Sequence, residues 1–155
     1  MKYYLAYGSN LNLTQMFHRC PHAPVIGHTS LSDMRLVFRG SKTGSYLTVE
    51  PDEAANVPCG VFAIQDDDEL ALDHYEGYPV VYQKQTLHVP EVMAVGTKEV
   101  VLRDIDAMIY TMPTDHRLGL PSTYYWKVCK QGYRDFHFAL RYLEKALFDS
   151  RAEME

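Results

Sequence analysis

The sequence predicts a mixed α+β fold: one domain with a curved, barrel-like β-sheet and flanking helices. Three observations lead there. Between residues 25 and 65 the chain breaks into short apolar or alternating runs divided by Gly, Ser, Asp and Pro, the mark of successive strands. Helical signals stand near the start, in the middle and through the last quarter, so strands and helices do not alternate as in a parallel α/β protein. Tyrosine is in excess, with 12 beside six Phe and one Trp. Its apolar body and polar tip suit amphipathic β-structure or a pocket lined with hydroxyls, and both readings stay open here. The 155 residues fit a single domain over 1–150 followed by a polar tail, 151–155, expected to fray.

Each element has a local reason. Residues 3–7 are aromatic and apolar and read as a short buried strand, ended by the turn cluster Gly8-Ser9-Asn10. Residues 12–19 read as a short helix stopped by Pro21. Strands are expected over 25–31, 34–38, 46–50 and 58–65. The acidic run Asp66-Asp67-Asp68-Glu69 suits the positive end of a helix over about 67–75, which Gly77 and Pro79 terminate. Residues 80–89 and 105–112 are further strands, and the stretch from about 90 to 105 fits no clear pattern. Pro121 suits the first turn of a helix over about 121–131 that ends at Gly132. A final helix starts at Asp135 and carries Phe136, Ala139, Leu140, Leu143, Ala146 and Leu147 on one apolar stripe.

Composition excludes several function classes. The formal charge of −5 removes the electrostatic ground for nucleic-acid binding. No window offers the roughly 18 uncharged apolar residues of a membrane span, and the N-terminal apolar run is too short for a signal peptide. The three isolated cysteines, Cys20, Cys59 and Cys129, form no disulfide framework and point to a cytoplasmic setting. His18, Cys20 and His22 are ligand types, but Pro21 interrupts their helix and no second cluster completes a set, so no metal is expected. No Gly-x-Ser-x-Gly elbow is present, which argues against a serine hydrolase.

Three segments have chemistry in them. In Tyr4-Leu5-Ala6-Tyr7-Gly8-Ser9-Asn10 a strand runs into a Gly-containing loop, which either presents backbone N–H groups to an anion or oxyanion or is an ordinary strand-to-helix turn. In Leu72-Asp73-His74-Tyr75-Glu76-Gly77-Tyr78-Pro79, Asp73 and Glu76 share a helix face, as an acid/base pair or as a solvated acidic face. Glu76 falls at the helix C-terminus, where the dipole disfavours negative charge, so stability does not explain its placement. In Pro121-Ser122-Thr123-Tyr124-Tyr125-Trp126-Lys127, aromatics in the first helical turns wall a pocket or pack into the core.

Together, Tyr-Leu-Ala-Tyr-Gly-Ser-Asn-Leu and Leu-Asp-x-x-Glu-Gly-Tyr-Pro, in this order and spacing, resemble the γ-glutamylcyclotransferase-like family. Pro121-Ser122-x-x-Tyr125-x-Lys127 is similar to its late segment, and the resemblance covers roughly residues 3–132. It implies a mixed α/β barrel-like fold with Glu76 as catalytic acid/base. It also implies that Tyr4, Leu5, Ala6, Tyr7, Gly8, Ser9, Asn10, Tyr82 and Tyr125 bind a γ-glutamyl substrate. The implied reaction is intramolecular aminolysis, releasing 5-oxoproline and a free amine, with no metal, nucleotide or flavin. A binding or regulatory protein that kept the pocket without the chemistry is the alternative. The expected partner is the small-molecule substrate, with no nucleic acid and no membrane, for a monomer or homodimer. By this reading Tyr125 and Tyr82 belong to the site, Tyr46, Tyr110, Tyr133 and Tyr142 are left to packing, and a substrate-specific loop is conceivable within 90–105.

Overall fold

Alternation of side chains and long antiparallel pairing build most of the molecule. The computed structural model describes residues 1–41 and 44–154. Five strands close into a barrel in the order β1-β3-β2-β4-β5: β1 (Lys2–Ala6), β2 (Val25–Ser41), β3 (Gly44–Ile64), β4 (Gln83–Met93) and β5 (Val100–Thr111). Neighbours pair antiparallel except at the closing seam, where β5 runs parallel to β1 with Tyr3 opposite Ala107 and Tyr4 opposite Met108. The helices are α1 (Leu13–Arg19), α2 (Asp66–Glu76), α3 (Thr123–Asp135) and α4 (Arg141–Met154), and one 3₁₀ turn, Ser9–Leu11, joins β1 to α1. Barrel residues such as Leu5, Phe38, Phe62 and Ile109 share one apolar core with Tyr133, Phe136 and Leu143 of the C-terminal region.

The four short strands expected between 25 and 65 are two long ones. Segments 25–31 and 34–38 run together as β2, and 46–50 and 58–65 as β3. The register slips between Ser32 and Met34, and Asp33 and Ala54 take left-handed φ values of 58° and 65°. A bulge bends a long strand without ending it, so the polar interruptions mark bends. The strand expected at 80–89 starts only at Gln83, because the amides of Val80 and Val81 close a turn onto the Gly77 carbonyl. β4 then passes through Pro90, the ladder stepping from Val89–Ile105 to Glu91–Arg103 across Pro90 and Asp104. The unplaced stretch is therefore the far end of the β4–β5 hairpin.

Gly132 does not end its helix. Asp135 is the last residue of α3, and a Cβ on Gly132 would lie 2.5 Å from the Asn12 amide nitrogen. Glycine is there for close approach of α3 to the start of α1. Asp135 does not cap the final helix either; its carboxylate accepts from the Leu13 N–H of α1 at 3.0 Å. His137, with φ of 60°, separates α3 from α4, so Phe136 and Leu140 precede the last helix and Ala139 is exposed. The expected fraying tail is helical through Met154, with Glu153 paired to Arg35 at 2.8 Å, while Glu155 lies outside the described residues. All three cysteines are free and buried. No helix is long and apolar enough to cross a membrane, and among the described residues no group of His, Cys, Asp and Glu converges as a metal set.

Candidate functional site

A cavity of about 420 Å³ forms where β1 runs into the 3₁₀ turn and α2 ends. The first segment contributes Tyr4, Leu5, Tyr7, Gly8, Ser9 and Asn10 to its wall, and α1 adds Gln15 and Arg19. The end of α2 supplies His74, Tyr75, Glu76 and Gly77, followed by Val81 and Tyr82. Tyr46 and Leu47 come from β3, Tyr110 from β5, and Ser122, Tyr124 and Tyr125 from the start of α3. Local rules set up these approaches. Asn12 Oδ1 caps α1 by accepting from Gln15 N at 3.0 Å, and Ser122 Oγ caps α3 by accepting from Tyr125 N at 3.1 Å. Gly77, at φ of 64°, halts α2 in the left-handed conformation, which makes Glu76 the last helical residue.

Glu76 is half-buried, and burial pushes its carboxyl up to about 7, with the nearby Arg19 guanidinium opposing the rise. Asn10 Nδ2 donates to Glu76 Oε1 at 3.3 Å and to the Tyr4 hydroxyl at 2.9 Å. Asn10 Oδ1 accepts from Gln15 Nε2 at 3.1 Å and from Arg19 at 2.9 Å, and Gln15 Nε2 also donates to Ser9 Oγ at 2.8 Å. On the other side, Tyr82 donates to the Leu47 carbonyl at 2.6 Å while Tyr125 accepts from the Leu47 N–H at 3.1 Å. Two tyrosines thus hold one backbone position of β3. Tyr7 donates to the Tyr110 carbonyl at 2.6 Å, and Tyr110 donates to Asp73 at 2.6 Å. Burial raises Tyr4, Tyr7, Tyr82 and Tyr125 well above the usual phenol range, so these hydroxyls stay neutral.

Glu76 is the one acidic side chain in the cavity wall among the described residues. Two-carboxylate chemistry of the glycosidase kind therefore lacks its second group. Ser9 is paired with Gln15, not with a histidine, so the wall holds no activated hydroxyl nucleophile at Ser9. What the arrangement offers is one carboxyl whose proton affinity burial raises, beside amide and hydroxyl donors.

Of the residues the sequence assigned to the site, Tyr4, Leu5, Tyr7, Gly8, Ser9, Asn10, Glu76, Tyr82 and Tyr125 come together in this wall. Ala6 does not; it is buried in β1 opposite Gly60, and its one methyl ends in the core. Asp73 shares the helix with Glu76 but turns to Lys84 and Tyr110, supporting a wall residue from behind. Tyr46 and Tyr110, left to packing by the sequence, line the cavity; Tyr133 is buried, with its hydroxyl on the Tyr7 carbonyl at 3.2 Å. No residue of 90–105 reaches the wall, so a substrate loop is not found there. The sequence reading missed Arg19, Gln15 and Leu47, since their roles depend on partners brought in by folding. The helical spacing of Gln15 and Arg19, four apart beside the Gly-Ser-Asn loop, was the available hint.

The family model described as gamma-glutamyl cyclotransferase, AIG2-like, matches residues 4–128. The chain belongs to this family. A solved gamma-glutamyl cyclotransferase superposes with a TM-score of 0.78 at 26% identity, covering 94% of this chain and 85% of that one. The uncharacterized protein loc79017 from Homo sapiens gives 0.74, also at 26% identity with the same coverage. YkqA from Bacillus subtilis shares the fold, with a TM-score of 0.69 at 18% identity over 97% of this chain and 54% of its own. No curated protein matches the sequence. For a gamma-glutamyl cyclotransferase family member, the closed five-strand barrel with four helices is the expected architecture.

Proposed function

We propose that this chain is a γ-glutamyl cyclotransferase acting on a γ-glutamyl amide of an amino acid, amine or peptide, with Glu76 as the proton carrier. The observation that carries the reading is the half-buried Glu76 carboxyl, raised to about 7 and touched by Asn10 of the Tyr-Gly-Ser-Asn loop in a member of this family. In the reaction, the substrate's α-amine attacks its own γ-carbonyl carbon. A C–N bond forms within a five-membered ring, and the amide C–N bond to the leaving amine breaks. Ionised Glu76 takes the proton from the attacking amine and, as the acid, returns it to the departing nitrogen. One carboxyl serves both steps because the two nitrogens flank the same carbon.

A carboxyl at about 7 is matched to this double duty near neutral pH: it accepts a proton more readily than an ordinary glutamate and still gives it up. General acid–base assistance of this kind contributes roughly 10²–10⁴-fold. The N–H groups of Ser9 and Asn10 open the 3₁₀ turn and have no acceptor within it, so they suit a developing oxyanion. The cavity size fits a small ligand, since such sites run about 300–1,000 Å³. Holding the glutamyl chain folded inside it makes the attack a proximity effect.

The test is release of 5-oxoproline from a panel of γ-glutamyl amino acids, amines and peptides by the wild-type protein and by Glu76→Gln. The expected result is turnover by the wild type that falls at least about 100-fold in the variant while the fold is retained. Comparable turnover in Glu76→Gln would remove Glu76 from the mechanism. Silence of the wild type across the panel, with ligand still bound, would support a binding protein instead.

A further inference from the structure

Arg19 stands in the last turn of α1 and has no part in the reading above, yet its contacts lead to Glu76. Its guanidinium lies 4.4 Å from the centroid of the Tyr75 ring and donates to Asn10 Oδ1 at 2.9 Å. Gln15 donates to the same oxygen at 3.1 Å. An asparagine amide has one accepting end and one donating end. With two donors on Oδ1, Nδ2 is forced to the other side, where it meets Tyr4 at 2.9 Å and Glu76 Oε1 at 3.3 Å. The reversed amide would set its NH2 against two donors and aim its carbonyl at a carboxylate. Asn10 is itself buried and cannot turn to water instead.

We infer that Arg19 is a positioning residue for the acid/base group: by holding the Asn10 amide in one orientation it keeps an N–H on Glu76 and sets how tightly that carboxyl holds its proton. The inference rests on Glu76 being the proton carrier. The groups facing Glu76 are few. From α1 there is Arg19, the one permanent cation of the cavity wall among the described residues; from the same helix turn as Glu76 there is His74. From β1, the loop after it, β5, the segment after α2 and α3 come the Tyr4, Tyr7, Tyr110, Tyr82 and Tyr125 hydroxyls, neutral across the working range. Loss of Arg19 therefore takes away the one permanent cation among the described wall residues and one of the two donors that fix the amide, leaving Gln15 alone on Asn10 Oδ1.

The experiment has two readouts. The first is the titration of the Glu76 carboxyl in the ligand-free protein, followed by carboxyl-carbon NMR and assigned by its loss in Glu76→Gln. Arg19→Gln is expected to raise its midpoint by about one pH unit, a tenfold change in proton affinity, and Arg19→Lys, which retains a cation able to donate to Asn10, is expected to recover most of that shift. In Asn10→Ala the further effect of Arg19→Gln should shrink to the direct charge contribution. The second readout is the pH profile of 5-oxoproline release, where Arg19→Gln should lower kcat/KM about ninefold at pH 6 but less than about twofold at pH 8.5, with KM little changed. An unmoved Glu76 titration in Arg19→Gln would overturn the inference, and a raised KM with an unshifted profile would make Arg19 a substrate anchor. Because the first readout needs no turnover, a wild-type protein silent in the assay would defeat the proposed function while leaving the carboxyl titration to decide the role of Arg19.

Discussion

Replacing Glu76 with glutamine should change how stability depends on pH, in a direction set by burial. The carboxyl moves from an ordinary 4.5 to about 7 on folding because its charged form is desolvated in the cavity. A folded-state value above the unfolded one means that the protonated carboxyl contributes stability in full below about 4.5, and that this is lost as pH rises through about 7. The whole effect is at most about 3 kcal/mol, at about 1.36 kcal/mol per pH unit. About a quarter of it is already gone at pH 5, which leaves about 2 kcal/mol to be lost between pH 5 and pH 8. Glutamine has the same shape and never ionises, so Glu76→Gln escapes this loss. Urea unfolding of both proteins at pH 5, 6.5 and 8 measures the difference, and the variant should gain about 2 kcal/mol on the wild type across that range, or about 4–8 °C in melting temperature. Parallel pH dependences would mean that Glu76 is an ordinary solvated carboxylate, and the reasoning from burial to proton carrier would fail with it.

Three more outcomes follow from particular contacts. Tyr125→Phe removes the hydroxyl that accepts the Leu47 N–H, so it should cost about 1–3 kcal/mol in urea unfolding as well as weakening ligand binding; unchanged stability would show that Leu47 finds another partner. Gly132→Ala would set a methyl 2.5 Å from the Asn12 amide and should destabilise by about 1–3 kcal/mol, read as a lower melting temperature. Glu50→Ala leaves Arg35 and Arg39, both largely buried, without the carboxylate they share at 2.7 and 2.9 Å; a loss of about 3–5 kcal/mol is expected, and an effect below 1 kcal/mol would mean the arginines reach water freely.

The strands were legible in the sequence because alternation is a property of neighbouring residues, but their lengths were not. The gaps at 32–33 and 51–57 look like chain breaks and are bends, where Asp33 and Ala54 take left-handed φ and a long antiparallel partner keeps the ladder going past a bulge. Gly132 looks like a helix stop for the same local reason; only the backbone of Leu11 and Asn12 against it explains why α3 passes through. The apolar stripe from Phe136 onward has helical spacing, yet the chain kinks at His137 and buries Phe136 from the end of α3.

Turn, cap and helix signals located the segments of the candidate site along the chain but left their roles open, and the resemblance to the family assigned them. Turn and cap residues placed the Tyr-Gly-Ser-Asn loop after a strand, and Gly77 set Glu76 at a helix end where stability offers no reason for a carboxylate. The division of the tyrosines was decided by packing. Tyr46 and Tyr110 reach the cavity because barrel closure brings β3 and β5 to β1, a pairing across about a hundred positions that no periodicity encodes. Likewise Asn10 and Glu76 lie 66 residues apart, and the hydrogen bond between them exists only once α1 and α2 are docked at the barrel mouth. Residue type and spacing record what neighbours along the chain do to one another; the proton affinity of Glu76 comes from what surrounds it after folding.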